Sequence, residues 1–97
     1  MTEEWRTPDL DELADALLAL RDRAEATAFL RDICSLNELQ TISHRWHCAR
    51  LLDGGTPYAQ VAATVGASTA TVTRVAHWLR HGEGGYRLVL DRLKESR

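Results

Sequence analysis

Short hydroxyl side chains and one guanidinium cluster between Ser68 and Arg74, and together they could bind a nucleic acid. Hydroxyls donate to or accept from base edges and phosphates, and a guanidinium can form two parallel hydrogen bonds with guanine or phosphate. Threonine is a poor helix former, so a helix surface without a binding role would favour Glu, Lys, Gln or Ala. No Asp or Glu occurs from Gly54 to Gly82, in a chain with 14 acidic residues. An anion-free surface of this kind is what a phosphate backbone requires.

A helix-turn-helix over residues 56–80 would position these side chains. We expect Thr56 to cap its first helix, with Pro57 at the first helical position. Gly66 marks the turn, because glycine adopts the left-handed conformation without a Cβ penalty. The second helix, 68–80, is the predicted recognition helix. Four valines are spaced so that they join the two helices: Val61, Val65, Val72 and Val75. The alternative is a plain helical hairpin with a surface rich in serine and threonine.

The residues that we expect to contact DNA on the recognition helix are mostly short and polar: Ser68, Thr69, Ala70, Thr71, Thr73 and Arg74. Thr56, Tyr58 and Arg80 are expected to contact phosphates and so to set the register. A packed ring at the start of the helix is the alternative for Tyr58. Of the recognition-helix residues, only Arg74 could discriminate a base through two hydrogen bonds. Ordered water and DNA shape are therefore expected to carry much of the sequence specificity.

The rest of the chain predicts further helices, since no stretch alternates in the manner of a β-strand. Thr7-Pro8 would start the first helix, the second would span Ala24 to Cys34, and the capping box Ser35–Glu38 would start a long helix that ends at Gly54. On the first helix, Leu10, Leu13, Leu17 and Leu20 form one apolar stripe, and on the second helix Phe29, Leu30 and Ile33 are expected to face inward. A linker, 82–85, precedes a last amphipathic helix. The predicted fold class is all-α, with about six helices in a single domain 1–97, of which 1–6 form a flexible tail.

Charge divides unevenly along the chain. Residues 1–38 carry 4 basic and 10 acidic side chains, a formal charge of −6, whereas residues 39–97 carry 8 basic and 4 acidic, a charge of +4. We expect the acidic segment to face away from DNA. Without a long apolar run or a signal-peptide pattern, the protein is expected to be cytoplasmic, with no membrane partner. Cys34 and Cys48 are expected to be reduced there, although the sequence does not exclude a bridge between them.

The stretch 39–86 resembles the Trp repressor superfamily, and most of all its YerC/YecD group. The most specific part is GASTAT followed by V-T-R-V, and then L-x-x-G-x-G-G-Y. The resemblance implies an intertwined homodimer that binds operator DNA and represses transcription. Leucine stripes on the outer helices fit packing on a partner copy, and an ordinary monomeric bundle is the alternative. Two recognition helices about 34 Å apart would require a palindromic operator.

The resemblance also suggests where an effector would bind. In the Trp repressor, the indole of tryptophan lies between two arginines, one on the long helix and one on the recognition helix. Arg74 matches the second arginine, and Arg45 matches the first if the connection before Tyr58 is one residue shorter; otherwise His44 does. Where that repressor has glycine this chain has Val75, whose isopropyl group would fill the space of the indole. We therefore expect tryptophan not to bind, and no cofactor to be needed. Arg74 would then be available for DNA, or would hold a different small molecule.

Two other classes of function stay open. Two sets of possible metal ligands are spaced three or four positions apart, so that each set would lie on one face of a helix: His44, His47 and Cys48 on the long helix, and His77 and His81 on the recognition helix. Such ligands would suit a metal-responsive regulator or a metal-dependent hydrolase. No H-E-x-x-H or C-x-x-C motif supports this, so no metal site is assigned. No nucleophile elbow, phosphate-binding loop or paired carboxylates occur either, and we expect no enzyme and no catalytic residue. A helical protein–protein adaptor is the third class, in which the N-terminal acids and Trp5 would serve a partner.

Overall fold

Residues 4–96 are described by the computed structural model, and every regular element among them is an α-helix. The helices are α1 (Pro8–Leu18), α2 (Arg23–Ile33), α3 (Leu36–Asp53), α4 (Tyr58–Val65), α5 (Thr69–His81) and α6 (Gly85–Glu95). The predicted all-α fold with six helices is therefore confirmed. Part of the predicted N-terminal tail, residues 1–3, lies outside the described residues. No helix within residues 4–96 combines the length and apolar character needed to cross a bilayer.

The chain divides into two compact units, residues 1–39 and 40–97. The first unit holds α1, α2 and the first turn of α3. Thr7 caps α1 as predicted, since its Oγ1 accepts from the Leu10 N–H at 3.1 Å. Asp22 caps α2 in the same way, and its Oδ1 accepts from the Glu25 N–H at 2.9 Å. Ser35 and Glu38 form the predicted capping box, with reciprocal bonds of 3.1 and 2.8 Å, and the bond donated by the Ser35 N–H lowers the pKa of Glu38.

The expected inward apolar face of α2 is only partly correct, and the apolar stripe of α1 is not covered within the chain. No residue of α1 or α2 is buried. Phe29 is half-buried, whereas Leu30 and Ile33 are exposed, and Leu20 lies beyond the end of α1. The physical reason is that two helices of 11 residues and one further turn offer too little facing surface to cover an apolar stripe. A sequence pattern reports which face is apolar but not whether the same chain covers it.

The second unit contains the buried core. Its members come from α3, α4 and α5, and all are small: Cys48, Ala49, Val61, Val65, Val72 and Val75. Small side chains let the three helices approach closely. Trp46 and Tyr86 pack against this core with their rings stacked, 6.3 Å between centroids and 14° between planes. The predicted joining of the two helices by the four valines is therefore confirmed.

The predicted cap at Thr56 is wrong. The helix α4 begins at Tyr58, Pro57 is the N-cap residue, and no side chain accepts a hydrogen bond there. Thr56 instead lies in the turn that closes α3, where its N–H donates to the Leu51 carbonyl at 3.1 Å. Thr56 therefore belongs to that turn, and the helix starts one residue later than predicted. The Pro57 carbonyl accepts the first helical bond, from the Val61 N–H at 3.0 Å.

Ionic contacts fasten α6 to the end of α3. Arg87 Nη1 lies 2.8 Å from Asp53 Oδ1, and Lys94 Nζ lies 2.7 Å from Asp53 Oδ2. The Arg87 guanidinium also contacts Asp91 on its own helix, at 2.9 Å. The hydrogen bonds that Arg87 and Lys94 donate to Asp53, of which the one from Arg87 has the larger effect, lower the pKa of Asp53 from 3.8 to about 2. Both carboxylates in turn raise the pKa of Arg87, so this group of charges is an ionised, mutually neutralising cluster.

Candidate nucleic-acid interface

A helix-turn-helix is formed by α4, Gly66 and α5. Gly66 is left-handed, with φ 78° and ψ 31°, and both its N–H and that of Ala67 donate to the Ala62 carbonyl, at 2.9 and 3.1 Å. These two bonds end α4 and reverse the chain. Ser68 is extended, and its Oγ accepts from the Thr71 N–H at 3.1 Å, which starts α5 as an N-cap. The predicted glycine turn is therefore confirmed, and the recognition helix runs over Thr69–His81 instead of 68–80.

The helix α5 has two faces of opposite character. Val72 and Val75 are fully buried, and Ala76 is nearly so. The other face is exposed and is formed by Thr69, Ala70, Thr73, Arg74, His77, Trp78, Arg80 and His81. Four of the six residues predicted to contact DNA from this helix, Thr69, Ala70, Thr73 and Arg74, thus lie together on the accessible side of the first turns. Ser68 is exposed at the cap, and Thr71 is half-buried.

Most polar groups at the start of α5 are hydrogen-bonded within the helix. The Ser68 and Thr71 hydroxyls lie 3.0 Å apart, and Thr73 Oγ1 donates to the Thr69 carbonyl at 2.9 Å. Arg74 Nε donates to the Ala70 carbonyl at 3.4 Å, which holds the guanidinium along the helix and leaves its two terminal nitrogens free. The Thr69 hydroxyl makes no hydrogen bond within residues 4–96. The predicted contact residues are accordingly pre-ordered, and only part of their bonding capacity is available to a ligand.

A depression of about 450 Å³ brings together the three residues predicted to contact phosphates. Thr56 lies in the turn before α4, Tyr58 in its first turn and Arg80 near the end of α5, and all three line the depression. The Tyr58 side chain is 39% exposed. Residues separated by up to 24 positions thus meet on one surface, as a phosphate site that fixes the register would require.

The two arginines that line this depression differ in whether they are paired with a carboxylate. Asp53 and Arg87 also line it. The Asp53 carboxylate is paired with Arg87 and Lys94, and the Arg87 guanidinium contacts Asp91 as well. Arg80 is exposed and forms no ion pair or hydrogen bond through its side chain with any described residue. Arg80 is therefore the available positive charge at this place, and Arg87 serves to hold α6 against α3.

The two arginines expected to flank an effector have separate partners. Arg74 is bonded to its own helix as described above, and the Arg45 guanidinium on α3 lies over the Trp78 ring, 5.8 Å from the centroid. Val75, at the position expected to exclude an indole, is completely buried in the valine core. Sequence reasoning missed Trp78 as a partner of Arg45. Helical periodicity relates residues three or four positions apart, so it gives no indication of a contact between residues 33 positions apart. Only the unusual placement of a tryptophan on a polar helix face could have suggested that Trp78 has a partner.

The imidazoles and thiol considered as metal ligands are dispersed. The His77 and His81 rings lie 5.2 Å apart on α5. Cys48 is fully buried in the core, and this burial raises the pKa of its thiol. Cys34 is a free thiol in the first unit, so the two cysteines are not bridged. Within residues 4–96, no three His, Cys, Asp or Glu side chains group closely enough to hold a metal ion.

A second, apolar depression of about 790 Å³ lies beside the last turns of α5. Aromatic rings from three helices line it, namely Trp46 of α3, Trp78 of α5 and Tyr86 of α6, and Val89 continues it along α6. Burial raises the pKa of the Tyr86 hydroxyl. The C-terminal half of α5 is consequently less closely packed than the half that carries the buried valines.

Comparison with known proteins agrees with this geometry. Residues 8–94 match the family model of the Trp repressor protein. The chain is 38% identical over 94 residues to the uncharacterized protein YerC of Bacillus subtilis (strain 168), an alignment that covers 97% of this chain and 90% of YerC.

Two crystal structures have the same fold. The candidate Trp repressor from Staphylococcus aureus superposes with a TM-score of 0.88 at 41% identity and covers 94% of this chain and 91% of its own. The TrpR-like protein from Eubacterium eligens ATCC 27750 superposes with a TM-score of 0.89 at 36% identity, and the coverage is 96% of each chain. The fold of this family is a regulatory DNA-binding fold and not that of an enzyme family. With the helix-turn-helix formed by α4 and α5, these similarities show that the chain belongs to the Trp repressor family, in its YerC-like group.

Proposed function

We propose that the protein is a homodimeric transcriptional regulator that binds a palindromic operator and represses by blocking access to the promoter. The observation that carries this proposal is the division of α5 into two faces. Its buried valines fix the helix to α4, and its opposite face is exposed and free of carboxylates. The anion-free segment extends from Gly54 to Gly82, so it includes the whole helix-turn-helix. Phosphates could approach this surface without like-charge repulsion.

Each part of the surface has a distinct proposed role. Thr69, Ala70 and Thr73 contact base edges from the first turns of α5, and the free terminal nitrogens of Arg74 bind a guanine or a phosphate. Ser68 and Thr71 chiefly start the helix, because each hydroxyl bonds to the other. The depression lined by Thr56, Tyr58 and Arg80 receives phosphates and sets the register.

Exposed apolar side chains support a dimer. Ten bulky aliphatic residues of the described helices are exposed: Leu13, Leu17, Leu18, Leu30, Ile33, Leu36, Ile42, Leu88, Val89 and Leu93. They lie on α1, α2 and α6 and on the first half of α3. Burying apolar surface contributes about 25 cal/mol per Å², so contact with a second copy of the chain would stabilise these exposed side chains in an interface. A two-fold dimer then presents two α5 helices to successive major grooves and requires a palindrome.

No small aromatic corepressor is included in the proposal. The full burial of Val75 in one cluster with Val61 and Val72 supports this, because a valine stands where the Trp repressor has a glycine. We also propose a cytoplasmic location, because the protein would have to reach promoter DNA there.

Capture of sheared genomic DNA at about 150 mM salt, followed by sequencing, tests the proposal, because nonspecific phosphate binding is already weak at that salt. We expect a small number of enriched palindromes upstream of genes. The triple variant Thr69→Ala, Thr73→Ala, Arg74→Ala should lose the enrichment. Its control, Arg23→Ala with Thr27→Ala, removes similar groups from the exposed surface of α2 and should retain it.

Sedimentation equilibrium tests the dimer separately. We expect twice the 10.9 kDa chain mass at micromolar concentration, and a species of 10.9 kDa would contradict the dimer. Equal capture by the wild type and the triple variant, or no enrichment by either, would contradict the DNA-binding assignment and favour a helical protein–protein adaptor.

A further inference from the structure

Arg45 and Trp78 connect the long helix to the C-terminal half of the recognition helix. The guanidinium carbon of Arg45 lies 5.8 Å from the centroid of the Trp78 ring, within the range of a cation–π interaction. Tryptophan has the most favourable ring for such a contact, and arginine is the cation most often found in one. The two residues are 33 positions apart and belong to α3 and α5.

This contact lies where the core no longer holds α5. The buried residues of the helix are Val72, Val75 and Ala76, all within its first eight positions. Beyond them Trp78 is 42% exposed, and the aromatic depression of about 790 Å³ opens beside it. None of the last five residues of α5, His77–His81, is buried, so this end has fewer buried contacts to hold its angle than the end that carries the valines. A lateral contact on the loose end would restrict that angle.

The backbone at Trp78 is itself anchored by the glycine turn that follows. The Gly82 N–H donates to the Trp78 carbonyl at 2.9 Å. A Cβ at position 82 would lie only 2.5 Å from the same carbonyl oxygen, so a glycine is needed for the chain to turn this closely. The indole is thereby held at a defined place on the last turns of α5, under the guanidinium from α3.

We infer that Trp78 is a positioning residue for DNA binding: its indole, held by Arg45, sets the angle of α5 in the absence of any bound effector. This inference rests on the proposed function, because it concerns how α5 is presented to DNA. The interaction lies within the chain, so the DNA-competent angle is populated before DNA arrives and no small aromatic molecule is needed to select it.

The expected effect follows from the strength of an exposed cation–π contact. About 0.5–1 kcal/mol converts to a loss of roughly two- to fivefold in affinity at 1.4 kcal/mol per tenfold. Since both protomers of a dimer lose the contact, operator binding should weaken by roughly five- to 25-fold. These are upper values, because they assume that other angles of α5 lack the contact entirely.

A double-mutant cycle tests the inference. Arg45→Gln, Trp78→Leu and the double variant are compared with the wild type for operator affinity by fluorescence anisotropy. We expect each single variant to bind more weakly and the double variant to be no weaker than Trp78→Leu alone. Trp78→Phe should restore part of the affinity, because it retains a ring face. Melting temperatures are measured in parallel, so that simple unfolding is recognised.

Trp5 and Arg6 provide a matched control. The Arg6 guanidinium lies 5.9 Å from the Trp5 ring, almost the same geometry, but the two are neighbours in sequence and connect no helices. Trp5→Leu and Arg6→Gln should leave operator affinity unchanged. Additive losses in the Arg45–Trp78 cycle, or wild-type affinity in both single variants, would overturn the inference while leaving the DNA-binding function intact.

Amide hydrogen exchange gives a readout that needs no DNA. We expect the amides of His77–His81 to exchange faster in Arg45→Gln and Trp78→Leu than in the wild type, while those of Val72 and Val75 do not change. If the wild type binds no operator, this result still decides whether the contact orders α5. The failure of the positioning role and the failure of the proposed function are therefore distinguishable.

Discussion

Replacing Arg80 by glutamine tests at once which cation binds phosphate and how many copies of the chain bind DNA. Arg80 is exposed, unpaired with any described residue, and lines the depression shared with Thr56 and Tyr58. The logarithm of DNA affinity falls with the logarithm of salt concentration, with a slope of about −0.9 for each phosphate neutralised. If Arg74 and Arg80 each neutralise one phosphate per protomer, a dimer neutralises four and its slope is about −3.6.

The substitution should then halve the slope. Arg80→Gln removes two cations from a dimer, which leaves a slope of about −1.8. Between 50 and 200 mM salt, the affinity of the wild type should fall roughly 150-fold and that of the variant roughly 12-fold. A monomer would instead have slopes of about −1.8 and −0.9. The pair of slopes therefore reports both the role of Arg80 and the stoichiometry.

Fluorescence anisotropy with the captured operator measures these slopes, at one fixed pH for all proteins. Arg23→Gln is the control, because it makes the same change of charge on the exposed surface of α2. Its slope should equal that of the wild type. An unchanged slope in Arg80→Gln would refute the phosphate assignment, and equal reductions in both variants would mean that only net charge matters.

Three further predictions concern the fold and the effector. Gly66→Ala should destabilise the protein by about 1 kcal/mol, because φ at Gly66 is 78°, a conformation that alanine adopts at a cost; no atom lies close to the new Cβ, so no clash adds to that cost. The melting temperature should therefore fall. The control Gly85→Ala changes the first residue of α6, which has right-handed backbone angles, and should not lower the melting temperature. Asp53→Asn should lower the free energy of unfolding by about 1–2 kcal/mol at neutral pH. This range is smaller than the free energy that corresponds to the whole pKa shift of Asp53, because its partners Arg87 and Lys94 are partly exposed to solvent. The folded-state pKa is lowered from 3.8 to about 2, so this stabilisation is complete above about pH 4 and disappears as the pH falls to about 2; unfolding free energies of the two proteins that stay equally far apart over that range would contradict the account. Calorimetric titration of the wild type with L-tryptophan should show no binding tighter than about 100 µM, and a lower dissociation constant would contradict the expectation that the side chain at position 75 excludes the indole.

The sequence predicted best those features that depend on neighbouring residues. The capping box of Ser35 and Glu38 and the glycine turn at Gly66 are each decided by interactions within five positions. The valine spacing that joins α4 to α5 follows from the helical period alone. Even among local features, Thr56 shows the limit of such reasoning, because the turn that closes α3 includes this residue and α4 starts one residue later than the cap pattern indicates.

Contacts between distant positions were beyond sequence reasoning. Asp53 and Arg87 are 34 residues apart, and their pairing depends on how α6 returns to the end of α3. The contact of Arg45 with Trp78 depends in the same way on the angle between α3 and α5. Charge and aromatic character mark such residues as capable of contact, but only the packing of the helices selects the partner.

The internal hydrogen bonds of α5 have a consequence for how DNA can be read. A hydroxyl that already donates to a carbonyl, as Thr73 does to Thr69, gains little from a base unless that bond is exchanged, and a net hydrogen bond is worth only about 1 kcal/mol. Thr73 can still present its methyl group, which discriminates thymine without any exchange. Arg74 is different, because one internal bond through Nε leaves two terminal nitrogens in the geometry that guanine requires. Discrimination should therefore be strongest where Arg74 meets the operator and weak at neighbouring positions, where DNA shape decides.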